Sequence, residues 1–192
     1  MRIISILRKS KNKIRFKHLF FLILYKILLK HLPKSTNLFF GKYSKYLRYQ
    51  CCKRIFKYCG KNVNIERGAD FGSGFDLMIS DNSGIGVNCK VPSNIKIGSH
   101  VMMGPECYIL DTNHSFERTD IPMTEQGHAD KQQTIIEDDV WIGREVLILP
   151  GRKIRRGTII GARCVVTKDF QEYSIIGGNP SKLIRSRKIN QE

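Results

Sequence analysis

Written in rows of six from Ile136, the chain puts Ile136, Ile142, Ile148, Ile154, Ile160 and Val166 at the head of successive rows. Every leader is a β-branched aliphatic residue, suited to a pleated wall. The position four after each leader reads Val140, Val146, Arg152, Thr158, Cys164 and Phe170, small in four of the six rows. A period of six belongs neither to an α-helix, at about 3.6, nor to an alternating strand, at about 2. It fits a solenoid of short strands, where the chain turns a corner every sixth residue and sends the leader inward. Arg152 interrupts the small rung. Its guanidinium is expected at an edge facing solvent or in a polar contact between subunits, because burial without a partner would be too costly.

The same ladder runs upstream through Ile85, Val91, Ile97, Met103 and Ile109, with Gly86, Gly98 and Gly104 after three of them. Earlier still, Ile65, Phe71 and Leu77 are six apart and Ile79 resumes the count, a shift of two positions near 77–79. The first coil is therefore expected near Val63. Between Ile109 and Ile136 the ladder stops. Residues 111–134, DTNHSFERTDIPMTEQGHADKQQT, carry no repeat, and loops this long in compact domains are usually functional or disordered. Past the last leader, Gly177, Gly178 and Pro180 suit a chain leaving the solenoid. Three parts follow: a basic, partly helical segment at 1–60, a mainly β solenoid at 61–176 with the inserted loop 111–134, and a tail at 177–192.

The net charge of +16 belongs to one end of the chain. Residues 1–61 hold 17 Lys or Arg and no acidic residue, and the remainder holds 16 basic against 17 acidic residues. Inside the basic segment the uninterrupted apolar run is only Leu19 to Tyr25, with Lys26 and Lys30 after it. A bilayer-spanning helix needs about 20 apolar residues, and no small-residue cleavage site marks a signal peptide. Two readings remain open. A helix in the membrane interface would set its apolar side at the acyl boundary and its lysines among anionic headgroups; alternatively the helix packs on its own assembly with a solvated basic face. The stretch KYSKYLRYQCCKRIFKYCG would also suit phosphates and stacked bases, but no nucleic-acid motif accompanies it, and nucleic acid is not an expected partner. Cys89, Cys107 and Cys164 fall on the small inward rung, and Cys51, Cys52 and Cys59 lie among basic and aromatic residues without a C-x-x-C pair. They read as reduced thiols of a cytoplasmic protein, and no metal is expected.

The rows IGSHVMMGPECYI, DVWIGREVLILPG, IIGARCVVTKD and IIGGNPSKLIR resemble the hexapeptide-repeat acyltransferases over roughly residues 61–187. That resemblance implies a left-handed parallel β-helix. The handedness comes from the family alone, since right-handed crossovers are the general rule. Within the family, GKNVNIERGADFGSG, NHSFERTDIPMTEQG and GGNPSKLIR look most like the sugar O-acetyltransferases of surface-polysaccharide pathways, with the maltose and galactoside acetyltransferases as further relatives. The implied activity is acetyl transfer from acetyl-CoA to a hydroxyl of a sugar or glycan intermediate, in a homotrimer with sites between neighbours. The implied place is cytoplasmic, peripheral to the inner face of the membrane.

Acetyl transfer to a hydroxyl needs a base for the proton, donors for the developing oxyanion, and a thioester held near the acceptor. His114 opens the loop and matches the family's catalytic histidine, a residue type that titrates near neutrality. Asp111 and Asn113 flank it, and either would orient the imidazole, touch a sugar hydroxyl or make ordinary loop-turn bonds. Asn88, in IGVNCK, matches the acceptor-contacting region, although Pro92 stands where the maltose and galactoside enzymes carry an acidic acceptor contact. On the donor side the resemblance assigns Ala162 to the pantetheine arm, with Thr167 and Lys168 of VTKD beyond it and Lys182 and Arg185 toward phosphates. Arg144 would offer its backbone N–H to the oxyanion, where relatives often place a small residue after W-I-G, and Trp141 would pack beside the cleft. His128 would shape the acceptor pocket or lie on the surface, and His100 on a corner faces solvent. Direct attack without a cysteine acyl-enzyme follows from the inward thiols. Two rivals use the same fold: a γ-type carbonic anhydrase with three zinc-binding histidines, whose spacing this chain lacks, and a non-catalytic scaffold.

Overall fold

A computed structural model describes residues 16–188; the basic lead at 1–15 and the last residues, 189–192, lie outside it. The row leaders are the second residues of two-residue strands, among them Ile135–Ile136, Trp141–Ile142, Leu147–Ile148, Lys153–Ile154, Ile159–Ile160 and Val165–Val166. A strand sends successive side chains to opposite faces, so each short strand points its leader in and the preceding residue out. Ile142, Ile148 and Val166 have no exposed surface. Three positions after many leaders the chain enters the left-handed region, at Asn82, Asn88, His100, Glu106, Asp139, Glu145 and Arg163 among others, and so turns a corner. Asn and Asp tolerate that conformation best.

Parallel pairing stacks the strands into three walls. The first runs through Tyr58–Cys59, Met78–Ile79, Lys96–Ile97, Ile135–Ile136 and Lys153–Ile154. The second holds Asn64–Ile65 and Gly84–Ile85, then Met102–Met103, Trp141–Ile142 and Ile159–Ile160, the two pieces joined by Gly84 N–H donating to Val101 O at 3.1 Å. The third passes from bridges at Asp70 and Lys90 to Tyr108–Ile109, Leu147–Ile148 and Val165–Val166. Met78 pairs with Lys96 and Ile135 with Lys153, each 18 positions on, but Tyr58 pairs with Met78, 20 positions on. The first wall therefore begins at Tyr58, ahead of Val63. The two additional residues lie in the corner between Asp70 and Met78, where Gly72 and Gly74 both have positive φ, 60° and 68°. A Cβ on Gly74 would also stand 2.9 Å from Ile55 Cγ2. The shift near 77–79 is thus a longer corner and not a slipped strand.

Hydrogen bonding explains why the solenoid needs its helices. Coil one donates its N–H groups to coil two (Asn64 N to Ser83 O at 2.9 Å, Glu66 N to Ile85 O at 3.0 Å), so its carbonyls face the open end. Buried carbonyls without donors are costly. The helical segment supplies the donors: Tyr49 Oη to Gly60 O at 3.0 Å, Arg48 Nε to Ile65 O at 2.5 Å, and Tyr25 Oη to Ala69 O at 2.8 Å. These come from helix α1 (residues 16–27) and helix α2 (Gly41–Ile55), joined through a short 3-10 turn at Leu29–His31. Arg48 is fully buried; its Nη1 donates to Pro33 O at 2.9 Å and its Nη2 lies 3.6 Å from Glu66. Tyr25, Leu29, Cys51, Cys52 and Ile55 join Phe71 and Leu77 in one continuous core.

At the other end the chain does not leave directly. Ser174–Gly177 adds a parallel strand beside Ile159–Ile160, and Lys182–Ser186 folds back antiparallel on it. The glycines and proline read as an exit form the turn of this hairpin. Arg152 sits at an edge, its side chain 27% exposed, with Nη1 3.5 Å from Asp169 and Nε donating to Pro150 O at 3.2 Å. All six cysteines are free, and Cys89, Cys107 and Cys164 point inward.

Candidate active site

The inserted loop leaves the third wall after Ile109 and returns to the first wall at Ile135. It is an arm whose two legs zip together. Gln132 N donates to Asp111 O at 2.7 Å, Ala129 N to Asn113 O at 2.9 Å, and Ser115 N to Gly127 O at 3.1 Å, with an antiparallel bridge between His114 and His128. Gln126 closes the tip by donating from Nε2 to Arg118 O at 2.8 Å and Ile121 O at 3.1 Å. The zipped legs set the two imidazoles against each other, 4.4 Å between ring centroids and tilted by 32°. Both are exposed, as are Phe116 and Met123 farther along. The Asp111 carboxylate is taken by Lys131 at 3.0 Å, so within one chain the group beside the His114 ring is His128.

A different set of side chains lines a groove of about 520 Å³ along the corner after the second wall, among them Lys34, Asn64, Glu66, Arg67, Asn88 and Arg144. Coil stacking assembles it. Asn88 is held at its corner by N–H donation to Arg67 O at 2.9 Å. Gly68, at φ 76°, faces the Asn88 amide closely enough that a Cβ there would collide with it. Glu66 is half-buried. Burial raises the pKa of its carboxyl, but hydrogen bonds from the Ser35 hydroxyl and N–H, the Asn64 amide and Arg67 N–H outweigh that and hold it below the usual carboxylate range. Arg144 is exposed and ion-paired to Glu106 at 2.8 Å and Glu145 at 3.0 Å, so its long side chain lies along the corner and does not enter the wall.

Glycines let the coils approach closely beside this groove. A Cβ on Gly104 would lie 2.8 Å from Arg144 N, and one on Gly143 would lie 2.6 Å from Ala162 N. The glycine after the leader thus marks a column where backbone meets backbone and side chains are excluded. Ala162 and Arg144 line a second hollow with Glu145 and Arg163. Thr167 N donates to Ser181 Oγ at 3.2 Å, which brings Thr167 and Lys168 beside the hairpin turn that precedes Lys182. Lys168 Nζ lies 5.6 Å from the Phe170 ring, and Arg185 stands exposed on the last strand opposite Ile175. Trp141 is half-exposed on the second wall beside Met102.

The structure therefore gathers Asn88 with Arg144, Arg144 with Ala162, and Thr167 and Lys168 with Lys182. His114, Asp111 and Asn113 stay on the arm and line neither groove. Sequence reasoning missed Lys34, Asn64, Glu66 and Arg67. The signal lay in the fixed coil length, which puts Gly68 beneath Asn88, but the two-residue corner hid that register. Burial pushes the thiols of Cys51 and Cys59 up to about 11, and that of Cys164 upward as well, so none of these is a ready nucleophile. No three His, Cys, Asp or Glu side chains gather into a metal-binding group among the described residues.

A family profile described as "Bacterial transferase hexapeptide (six repeats)" matches residues 133–168. Among curated proteins, a chloramphenicol acetyltransferase of Agrobacterium fabrum is 35% identical over 157 residues, covering 80% of this chain and 69% of the relative. A putative lipopolysaccharide biosynthesis O-acetyl transferase of Escherichia coli K12 is 28% identical, covering 80% of this chain and 83% of its own length. Among solved structures, a maltose O-acetyltransferase from Clostridium difficile 630 superposes with a TM-score of 0.70 at 25% identity, covering 92% of this chain and 89% of that one.

Proposed function

Because the chain belongs to the hexapeptide-repeat acetyltransferases, we propose that it moves an acetyl group from acetyl-CoA to a hydroxyl of a sugar or glycan intermediate, with His114 as general base. The imidazole takes the hydroxyl proton as the oxygen bonds to the thioester carbonyl carbon; the C–S bond then breaks and the imidazolium returns that proton to the leaving thiolate. Arg144 N–H serves the oxyanion. Ala162, Thr167 and Lys168 hold the donor's arm, and Lys182 and Arg185 meet its phosphates. Asn88 contacts the acceptor; Asp111 and Asn113 frame the base. The site is complete only in a homotrimer, where the arm of one chain brings His114 to the donor side of its neighbour. The exposed Phe116 and Met123 on the arm suit such a reach.

One observation carries the choice of acceptor. Seven of the residues that line the groove at Asn88 are amides or charged groups, with Val87, Met103 and Pro105 beside them, which suits a polyhydroxylated ligand, since each buried hydroxyl needs a partner. The 35% identity to a chloramphenicol acetyltransferase favours a second reading, an aromatic antibiotic hydroxyl as acceptor. Incubation with acetyl-CoA and either sugar acceptors or chloramphenicol, followed by mass spectrometry, separates the two. Acetylation of chloramphenicol alone would overturn the glycan reading. Among the described residues no histidine triad gathers for a zinc lyase, and a scaffold role would leave every measured function intact in His114→Ala. For residues 1–60 we propose peripheral contact with an anionic membrane, at a lipid-linked or membrane-proximal acceptor. Among the described residues no helix is long and apolar enough to cross a bilayer.

A further inference from the structure

Helix α1 has two apolar faces, and the solenoid covers only one. His18 and Tyr25 are buried against coil one, where the His18 ring stacks on Phe75 at 3.8 Å and its Nε2 lies 3.3 Å from Ser73 O. At about 100° per residue, Phe16, Leu19, Phe20, Ile23 and Ile27 gather on the opposite side. All five are exposed, Phe16 by 75% and Ile27 by 74%. In the helical projection Lys26 stands beyond one edge of this stripe and Lys17 beyond the other, both exposed. From α2, the Arg54 guanidinium lies 5.3 Å from the Phe21 ring, and Arg54 lines a hollow of about 570 Å³ with Phe16, Lys17 and Phe20.

We infer that this stripe is a lipid-facing surface. Helix α1 lies flat in the interface of an anionic bilayer, with Phe16, Phe20, Ile23 and Ile27 at the acyl boundary and Lys17, Lys26 and Arg54 among headgroup phosphates. The inference rests on the membrane contact proposed for residues 1–60 and adds its face and orientation; acetyl transfer does not depend on it. Charge selects the occupant. A segment with 17 basic and no acidic residues attracts an anionic surface, whereas the same face on a second copy would bring like charge to like. A neighbouring chain has a different surface to cover, the half-exposed Met102 and Trp141 side by side on the second wall. Helix α1 caps the open end beyond coil one, so the solenoid would stand on the bilayer by that end.

The test is sedimentation of the full-length protein with vesicles of phosphatidylcholine alone or with phosphatidylglycerol added. Binding is expected only to the anionic vesicles and should weaken with salt. Combining Phe16→Ser, Phe20→Ser and Ile23→Ser should lower affinity at least about tenfold, with trimer mass and transfer to a soluble acceptor unchanged. Should that variant misfold, Lys17→Ala with Lys26→Ala leaves the apolar faces intact and should weaken binding and flatten its salt dependence. Equal binding to neutral vesicles, undiminished binding of both variants, or a serine variant that is folded but no longer trimeric would overturn the inference. Absent acetyl transfer by the wild type would count against the enzymatic reading alone.

Discussion

Ile142 and His114 show the two ways this chain holds a side chain. Ile142 stands in the second wall with no exposed surface, between Met103 on one coil and Ile160 on the next. His114 stands on an arm with no regular ladder, exposed, and held by a single bridge and the ring of its partner His128. The wall is fixed by burial and by a parallel ladder on both sides, so it tolerates almost no change of volume. The arm is fixed by its own cross-bonds and leaves its side chains free. A site assembled at such an arm can vary its chemistry without disturbing the fold, and the comparison predicts separable effects on activity and stability.

The largest separation is expected for His114→Ala. Removing a positioned base should lower kcat by about 10²–10⁴-fold, with the thermal midpoint little moved because the imidazole is exposed and rests only against the exposed His128 ring. Activity within about threefold of wild type would remove His114 from the mechanism.

The second test asks whether arm and wall act within one chain or across two. Ala162 is exposed on the donor side, so Ala162→Phe should fold and obstruct the pantetheine arm. Each variant alone is expected to be nearly inactive. Co-expressed in equal amounts, they form mixed trimers by closed symmetry. A cleft that takes its base from one chain and its donor site from the next is sound on both sides about a quarter of the time. About a quarter of wild-type activity should therefore return, measured beside the mass of the mixed trimers. No recovery, with mixed trimers present, would mean that base and donor site belong to one chain.

The third effect falls on the wall. Ile142→Ala should cost about 2–5 kcal/mol of stability, read from denaturant midpoints. The folded fraction should keep its activity, because Ile142 supports the corner at Gly143 without entering either groove.

These contrasts follow how much was legible in the sequence. The leaders from Ile85 to Val166, the inward Cys89, Cys107 and Cys164 and the edge position of Arg152 were readable because period six ties each residue to one side of the solenoid. The reading failed where the period fails. Tyr58–Cys59 forms the first wall strand six positions before Ile65 and in phase with it, but its leader is a cysteine among basic and aromatic residues and not a β-branched row head. Glu66, one coil below the Gly86 corner, could not be tied to Asn88 because the two-residue corner at Gly72 and Gly74 shifts that register. The His114–His128 pairing depends on cross-bonds within the arm, which no periodicity encodes. The second apolar face of α1 was hidden because Lys26 and Lys30 interrupt the run in sequence, although in three dimensions Lys26 stands at the border of the exposed stripe.

The smallest effect should come from acid, and it should act on the cap before the walls. The buried interior of the walls holds aliphatic, cysteine, serine and threonine side chains but, among the described residues, no carboxylate, whereas the helices are tied to coil one through carboxylates: Glu66 beside the buried Arg48, and Asp70, which accepts from Lys30 Nζ at 2.7 Å. Burial raises the pKa of both carboxyls, but their hydrogen bonds prevail, and both are held below their ordinary values. A carboxylate whose folded pKa is depressed contributes stability above its unfolded pKa, about 4.3 for Glu. That contribution is lost as pH falls through the lower folded value. Acidification below about pH 4.3 should therefore expose the amides of α2 to hydrogen exchange while the strands around Ile142 stay protected. Glu66→Gln removes one titrating group. It should be less stable than wild type at neutral pH, where a neutral amide stands beside Arg48, and its midpoint should fall less steeply with acid. Parallel pH dependence in the two proteins would show that the cap is not held through Glu66 and would leave Asp70 as the remaining acid-sensitive tie between the cap and coil one.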